Sequence, residues 1–162
     1  MPLYYMSFQE KCLMALIDLI TEKIVKIPLV STDKPEVLRE LVQILVDAGE
    51  ISDFDAVLEA VHEREDKLST GLEDGVAIPH CKCSAVSTLK IAIGIAPQGI
   101  DFNSIDRKPS KIFFLMLASP NQAGPHVEAL AEIAKLVHSK AFCRALVCSQ
   151  NVREVVELFR GD

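Results

Sequence analysis

Ile112 to Ala118 is an unbroken apolar run of strand length. Neighbouring side chains on a strand point to opposite faces, so such a run must be covered on both sides. The chain is therefore expected to build a sheet with material packed over each face. Leu89 to Ile95 supplies a second strand, with Leu89, Ile91, Ile93 and Ile95 on one face. Ile24 to Val30 is rich in β-branched residues, and Pro28 assigns it to an edge or a bulge. Val76 to Ile78 reads as a short strand, and Ala96-Pro97-Gln98-Gly99 as a turn.

Helical patterns lie between these strands. One helix starts near Ser31-Thr32-Asp33, carries the stripe Val37, Leu38, Leu41, Val42, Leu45 and Val46, and stops at Gly49. Ser52 and Asp55 resemble a capping box opening a second, which buries Phe54, Val57, Leu58 and Val61 and closes at Arg64-Glu65. A third runs from His126 to Val137, with Val127, Leu130, Ala134 and Val137 inward. Two short helices follow, Lys140 to Val147 and Asn151 to Phe159. Interleaved helices and strands give the expected class: α/β, a mixed β-sheet with helices on both faces.

At 162 residues the chain fits one ordinary domain. A net charge of −6 argues against a nucleic-acid partner. The densest apolar run near the N-terminus, Cys12 to Ile20, is interrupted by Asp18 and is shorter than the roughly 20 residues that span a bilayer. It lacks the flanks of a signal peptide. Five cysteines without framework spacing fit reduced thiols, so a cytoplasmic location is expected. Leu13, Leu16, Ile17 and Ile20 fall at helical spacing; that face could lie on the core or on a second copy in a homodimer.

Chemistry concentrates in Ser69-Thr70-Gly71 and Gly75-Val76-Ala77-Ile78-Pro79-His80. Pro79 fixes its own backbone angle and Gly75 permits a tight turn, so local sequence is spent on presenting His80. An imidazole can change protonation state near neutral pH or act as a nucleophile. His126 follows Gly124-Pro125 at an expected helix start, where free N–H groups favour an anion. Arg64 reads either as a solvated helix-end cation or as a guanidinium for phosphoryl oxygens. Thr70 reads as a turn residue, as a donor to the same oxygens, or as a partner of a His80 ring nitrogen. One ring nitrogen must be bare, and a backbone carbonyl is expected to hold the N–H of the other. His80-Cys81-Lys82-Cys83 is a weak match to a zinc site, because no second ligand pair follows.

Together, Arg64-Glu65, Ser69-Thr70-Gly71 and Gly75 to His80 resemble the signature of enzyme IIA domains of the fructose/mannitol class. These belong to the phosphoenolpyruvate-dependent sugar phosphotransferase system, and nitrogen-regulatory enzyme IIA proteins share the signature. The likeness continues through Gly99-Ile100-Asp101-Phe102, Asp106, the strand Ile112 to Ala118, and His126. It implies the sandwich fold of that family over residues 17–162, with 1–16 as a partly helical extension. It also implies a phosphotransferase component that needs no cofactor or metal. His80 would accept a phosphoryl group from the phosphocarrier protein HPr and pass it to an enzyme IIB, or use it as a signal to a regulatory target. His126 and Arg64 would steady the phosphoryl group, with Thr70 beside them. Cys81 stands where the family usually has a smaller residue, and Glu73-Asp74 is expected to add two acids near the site.

Overall fold

A computed structural model describes residues 16–161. Residues 13 and 14, with the rest of the expected N-terminal extension up to 15, lie outside the described part. The strands are β1 (Val25–Lys26), β2 (Val76–Ala77), β3 (His80–Lys82), β4 (Lys90–Ile100) and β5 (Ser110–Ala118). The helices are α1 (Lys34–Asp47), α2 (Phe54–Lys67), α3 (Ala123–Val137), α4 (Lys140–Cys148) and α5 (Val152–Arg160). A helical turn at 16–19 and a 3₁₀ turn at Glu22–Ile24 precede them.

The sheet is mixed. β1 runs parallel to β4, β4 antiparallel to β5, and both β2 and β3 parallel to β5. Ile112 to Ala118 is buried at every position, as an unbroken apolar strand requires, so both faces of β5 are covered. Helices α3 and α4 pack on β5, and α1 and α4 on β4.

Several boundaries differ from expectation. The first strand shrinks to Val25–Lys26, and Leu29 donates its N–H to Ile95 at 2.8 Å from outside it. Asp53, not Ser52, caps α2 by accepting the Ala56 N–H at 3.1 Å, and the helix continues to Lys67. The expected turn at Ala96 to Gly99 lies inside β4, which absorbs it as an irregularity of register between Ile95 and Ile100.

The strand that delivers His80 is divided. Val76 and Ala77 pair with Ile112 and Phe113, and His80 pairs with Met116 in the same register. Between them Pro79 has no N–H to give, but its carbonyl still accepts the Met116 N–H at 2.9 Å. His80 thus opens β3 rather than ending the earlier strand.

Candidate functional site

Helix α2 lays out the site by its periodicity. Val57, Val61 and Glu65 are its buried residues, spaced by four. Ala60, Glu63, Arg64 and Lys67 occupy the neighbouring stripe and form one wall of a groove. His80, Cys81 and Lys82 from β3 and His126, Val127 and Leu130 from α3 complete it. Three residues expected to act together, Arg64, His80 and His126, therefore line one concavity.

His80 is half-buried. Its Nδ1 lies 2.7 Å from the Ile78 carbonyl oxygen. A carbonyl only accepts, so Nδ1 carries the proton and Nε2 is left as the basic nitrogen. A backbone carbonyl was expected here without its residue being named, and it is that of Ile78, two residues back along the chain.

His126 differs from expectation in its helical position. Helix α3 begins at Ala123, and the His126 N–H already donates to the Gln122 carbonyl at 3.2 Å. It therefore does not add an unpaired N–H at the helix start. Val127 and Ala134 turn outward, Val127 at 63% exposed, while His126, Ala129 and Ile133 are buried. The imidazole of His126 is 4% exposed and its Nε2 has no hydrogen-bond partner. Its ring centroid lies 5.6 Å from that of His80, edge to face. Burial holds the His126 pKa below the usual 6.5, and the charges of His80 and Lys82 add to that effect. The shift favours the neutral ring.

Arg64 donates one guanidinium N–H to the Leu68 carbonyl at 3.0 Å, which closes the helix end. The same side chain lines the groove. Lys67 and Lys82 are further groove cations, and Glu63 is its carboxylate. The two acids expected beside the site do not stand there as a pair. Asp74 lines a different groove, and its N–H is held by Asp106 at 3.1 Å.

Thr70 is directed elsewhere. Its hydroxyl donates to Glu65 at 2.6 Å, and its N–H donates to the same carboxylate at 2.8 Å. The His80 ring nitrogen is held by Ile78 instead, so Thr70 meets neither the ring nor the groove lining. Gly71 follows because any Cβ there would come within 2.9 Å of the Ser104 Cα.

The thiol next to His80 in the chain, Cys81, is buried. Burial, with Cys83 close by, pushes the Cys81 thiol up to about 12, against a smaller opposing effect of Arg64. Among the described residues no group of three His, Cys, Asp or Glu side chains is gathered for a metal ion. The groove that Asp74 lines, of about 360 Å³, is also lined by Lys111, Lys140, Arg144 and Cys143 and contains no histidine. The Cys143 thiol is raised by burial and then by Asp74, and it donates to the Val137 carbonyl.

The family model of the phosphoenolpyruvate-dependent sugar phosphotransferase system, EIIA 2, matches residues 18–161, and the chain belongs to that family. EIIA domains are phosphotransferase components.

Fructose-specific components and nitrogen regulatory proteins are both among the chain's relatives. The fructose-specific EIIA component of Haloferax volcanii is 36% identical over 121 residues, covering 71% of this chain and 79% of the relative. The fructose-specific EIIABC component of Bacillus subtilis is 30% identical over 90% of this chain, which spans only 23% of that protein's length. The nitrogen regulatory protein of Klebsiella oxytoca is 36% identical over 63% of this chain and 64% of its own. Among solved structures, IIA-Ntr of Neisseria meningitidis superposes with a TM-score of 0.83 at 24% identity, over 90% of this chain and 99% of that one. IIA mannitol of Escherichia coli gives 0.75 at 19% identity, over 86% and 97%. The same mannitol protein has been solved in complex with phosphorylated enzyme IIB.

Among the described residues, no helix is long and apolar enough to cross a membrane.

Proposed function

We propose that His80 is the phosphoryl acceptor of this chain and that Nε2 is the attacking atom. The observation that carries the reading is the 2.7 Å bond from Nδ1 to the Ile78 carbonyl, which leaves Nε2 as the nucleophile in a groove with Arg64 and His126. In the step, the Nε2–P bond forms as the N–P bond of a phosphohistidine donor breaks, and the donor imidazole departs with that electron pair. Little covalent work falls to the protein, so positioning and charge stabilisation dominate. Arg64 meets the spreading negative charge with its planar fork. A neutral His126 can offer its ring N–H or accept a proton, at low cost in reorganisation because its ring is already buried.

The donor proposed is HPr, and the acceptor is a thiolate of an enzyme IIB, the partner with which the mannitol relative was solved. Residues 17–162 form the carrier unit, acting in the cytoplasm. A second use of the same chemistry, regulation of a target protein by phosphorylation state, is supported by the nitrogen regulatory relatives. In that use the acceptor step is unchanged and the onward transfer is replaced by a change of binding partner.

Incubation with phosphoenolpyruvate, enzyme I and HPr is expected to give one acid-labile, base-stable phosphoryl group, lost completely in His80→Ala. Full labelling of His80→Ala would overturn the assignment.

A further inference from the structure

Glu65 takes no part in lining the groove, although its neighbour Arg64 does. It continues the buried stripe of α2 and is 4% exposed. Its carboxylate accepts both the N–H and the hydroxyl of Thr70, at 2.8 and 2.6 Å. Lys34 Nζ pairs with it at 2.9 Å. The same ammonium reaches the Ser69 hydroxyl at 3.3 Å and the Phe102 carbonyl at 3.4 Å, and stands 4.5 Å over the Phe102 ring. Thr70 is thus held by its main chain and its side chain. Its carbonyl accepts the Ile78 N–H at 3.1 Å, and the Ile78 carbonyl accepts the His80 Nδ1–H at 2.7 Å. Contacts run without a gap from Lys34 through Glu65, Thr70 and Ile78 to the imidazole.

We propose that Glu65, with Lys34 as its counter-ion, is a positioning residue that keeps the Ile78 carbonyl on His80 Nδ1 and so keeps Nε2 unprotonated. The inference rests on the reading of His80 as the phosphoryl acceptor. Which ring nitrogen carries the proton is set by the hydrogen bond the other makes. Pro79 fixes one angle between Ile78 and His80, but the place of Ile78 itself depends on Thr70. Release of Thr70 lets the carbonyl stray, and molecules with Nε2–H cannot attack phosphorus. A carboxylate suits the post because it only accepts, and can take an N–H, an O–H and an ammonium at once. Glutamine must turn its NH₂ toward one of those donors.

The test uses the full chain with ¹⁵N-labelled histidine. The ring-nitrogen shifts of His80 report its tautomer, and single-turnover transfer from phospho-HPr reports rate. Wild type is expected to be the Nδ1–H tautomer. Glu65→Gln is expected to show a mixture of tautomers and transfer slowed by up to about 100-fold, the scale of a misplaced reacting group. Thr70→Val keeps the N–H bond to Glu65 and loses only the hydroxyl, so a smaller loss of about fivefold is expected, the worth of one hydrogen bond. Thr70→Ser is expected to restore both readouts.

An unchanged tautomer overturns the proposal whether or not transfer slows, because a merely structural role leaves the ring nitrogens alone. Should Glu65→Gln fail to fold, Thr70→Val decides by the same readouts. Should wild-type His80 accept no phosphoryl group, the acceptor reading fails, and the tautomer comparison still judges Glu65 by itself.

Discussion

Two buried carboxylates in this chain are built alike and lead to different ends. Glu40 on α1 accepts the N–H groups of Val30 and Ser31 and the Ser31 hydroxyl, and pairs with Lys26 at 2.6 Å. Glu65 on α2 accepts the N–H and hydroxyl of Thr70 and pairs with Lys34 at 2.9 Å. Each sits on a helix face that is otherwise apolar, and each offsets its desolvation with donors from a loop and a lysine. The loop on Glu40 joins β1 to α1 and goes no further. The loop on Glu65 continues through Ile78 to His80. The anchor chemistry is the same, so on the proposed role of His80 the downstream chain decides whether an anchor serves only the fold or also the reaction.

The largest effect that can break this comparison is on stability. Glu40→Ala leaves two backbone N–H groups, a hydroxyl and Lys26 without their acceptor, and is expected to cost about 3 kcal/mol in denaturant unfolding. Transfer by the folded Glu40→Ala protein should stay within about twofold of wild type, since one such change touches no group in the Glu65 succession. A loss of transfer equal to that of Glu65→Gln would erase the distinction between the two anchors.

A smaller effect sharpens the comparison along the pH axis. For Glu40, burial alone would raise the pKa, but the Lys26 and Ser31 side chains and the N–H groups of Val30 and Ser31 outweigh it and hold it below 4.5. Its stabilising contribution is complete above 4.5 and is lost as pH falls through the lower folded value. His126 is held below 6.5, so below that pH the unfolded chain binds the proton more readily. Stability therefore declines first as pH falls beneath 6.5 toward the folded value of His126. The Glu40 decline follows at more acid pH. Thermal melts across pH are expected to show both declines, the first removed in His126→Gln and the second in Glu40→Gln. A first decline that persists in His126→Gln would contradict the burial of a neutral imidazole.

The scaffold was legible where one element decides its own state. Ile112 to Ala118 was read as a covered strand from its length and unbroken apolar character, and the stripe from Val37 as an amphipathic helix; both form as expected. Element ends were less legible because partners set them. β4 runs through Pro97 and Gly99 because Ile100 pairs again with Ser110, a contact ten residues away that no local pattern announces. Helix α3 gains a turn before His126 and rotates Val127 outward, which turns a histidine expected at a helix tip into a buried one.

At the site, local signals singled out His80, His126 and Arg64, and the fold gathers them in one groove. Thr70 was conspicuous for the right segment and the wrong contact: its hydroxyl meets Glu65. Glu65 and Lys34 were not singled out, since a glutamate at a helix end and a lysine at a helix start look solvated in isolation. Beyond its place beside Arg64 in the family signature, Glu65 carried a signal in its spacing, falling four residues after Val61 on the buried stripe.

If one nitrogen of His80 is prepared for attack, that nitrogen is the one that becomes phosphorylated. Protein with ¹⁵N-labelled histidine, treated with phosphoenolpyruvate, enzyme I and HPr, is to be examined for nitrogen–phosphorus coupling by NMR. A single phosphoryl group is expected on His80 Nε2, with Nδ1 still protonated toward the Ile78 carbonyl. A phosphoryl group on Nδ1, or on any residue other than His80, would contradict it.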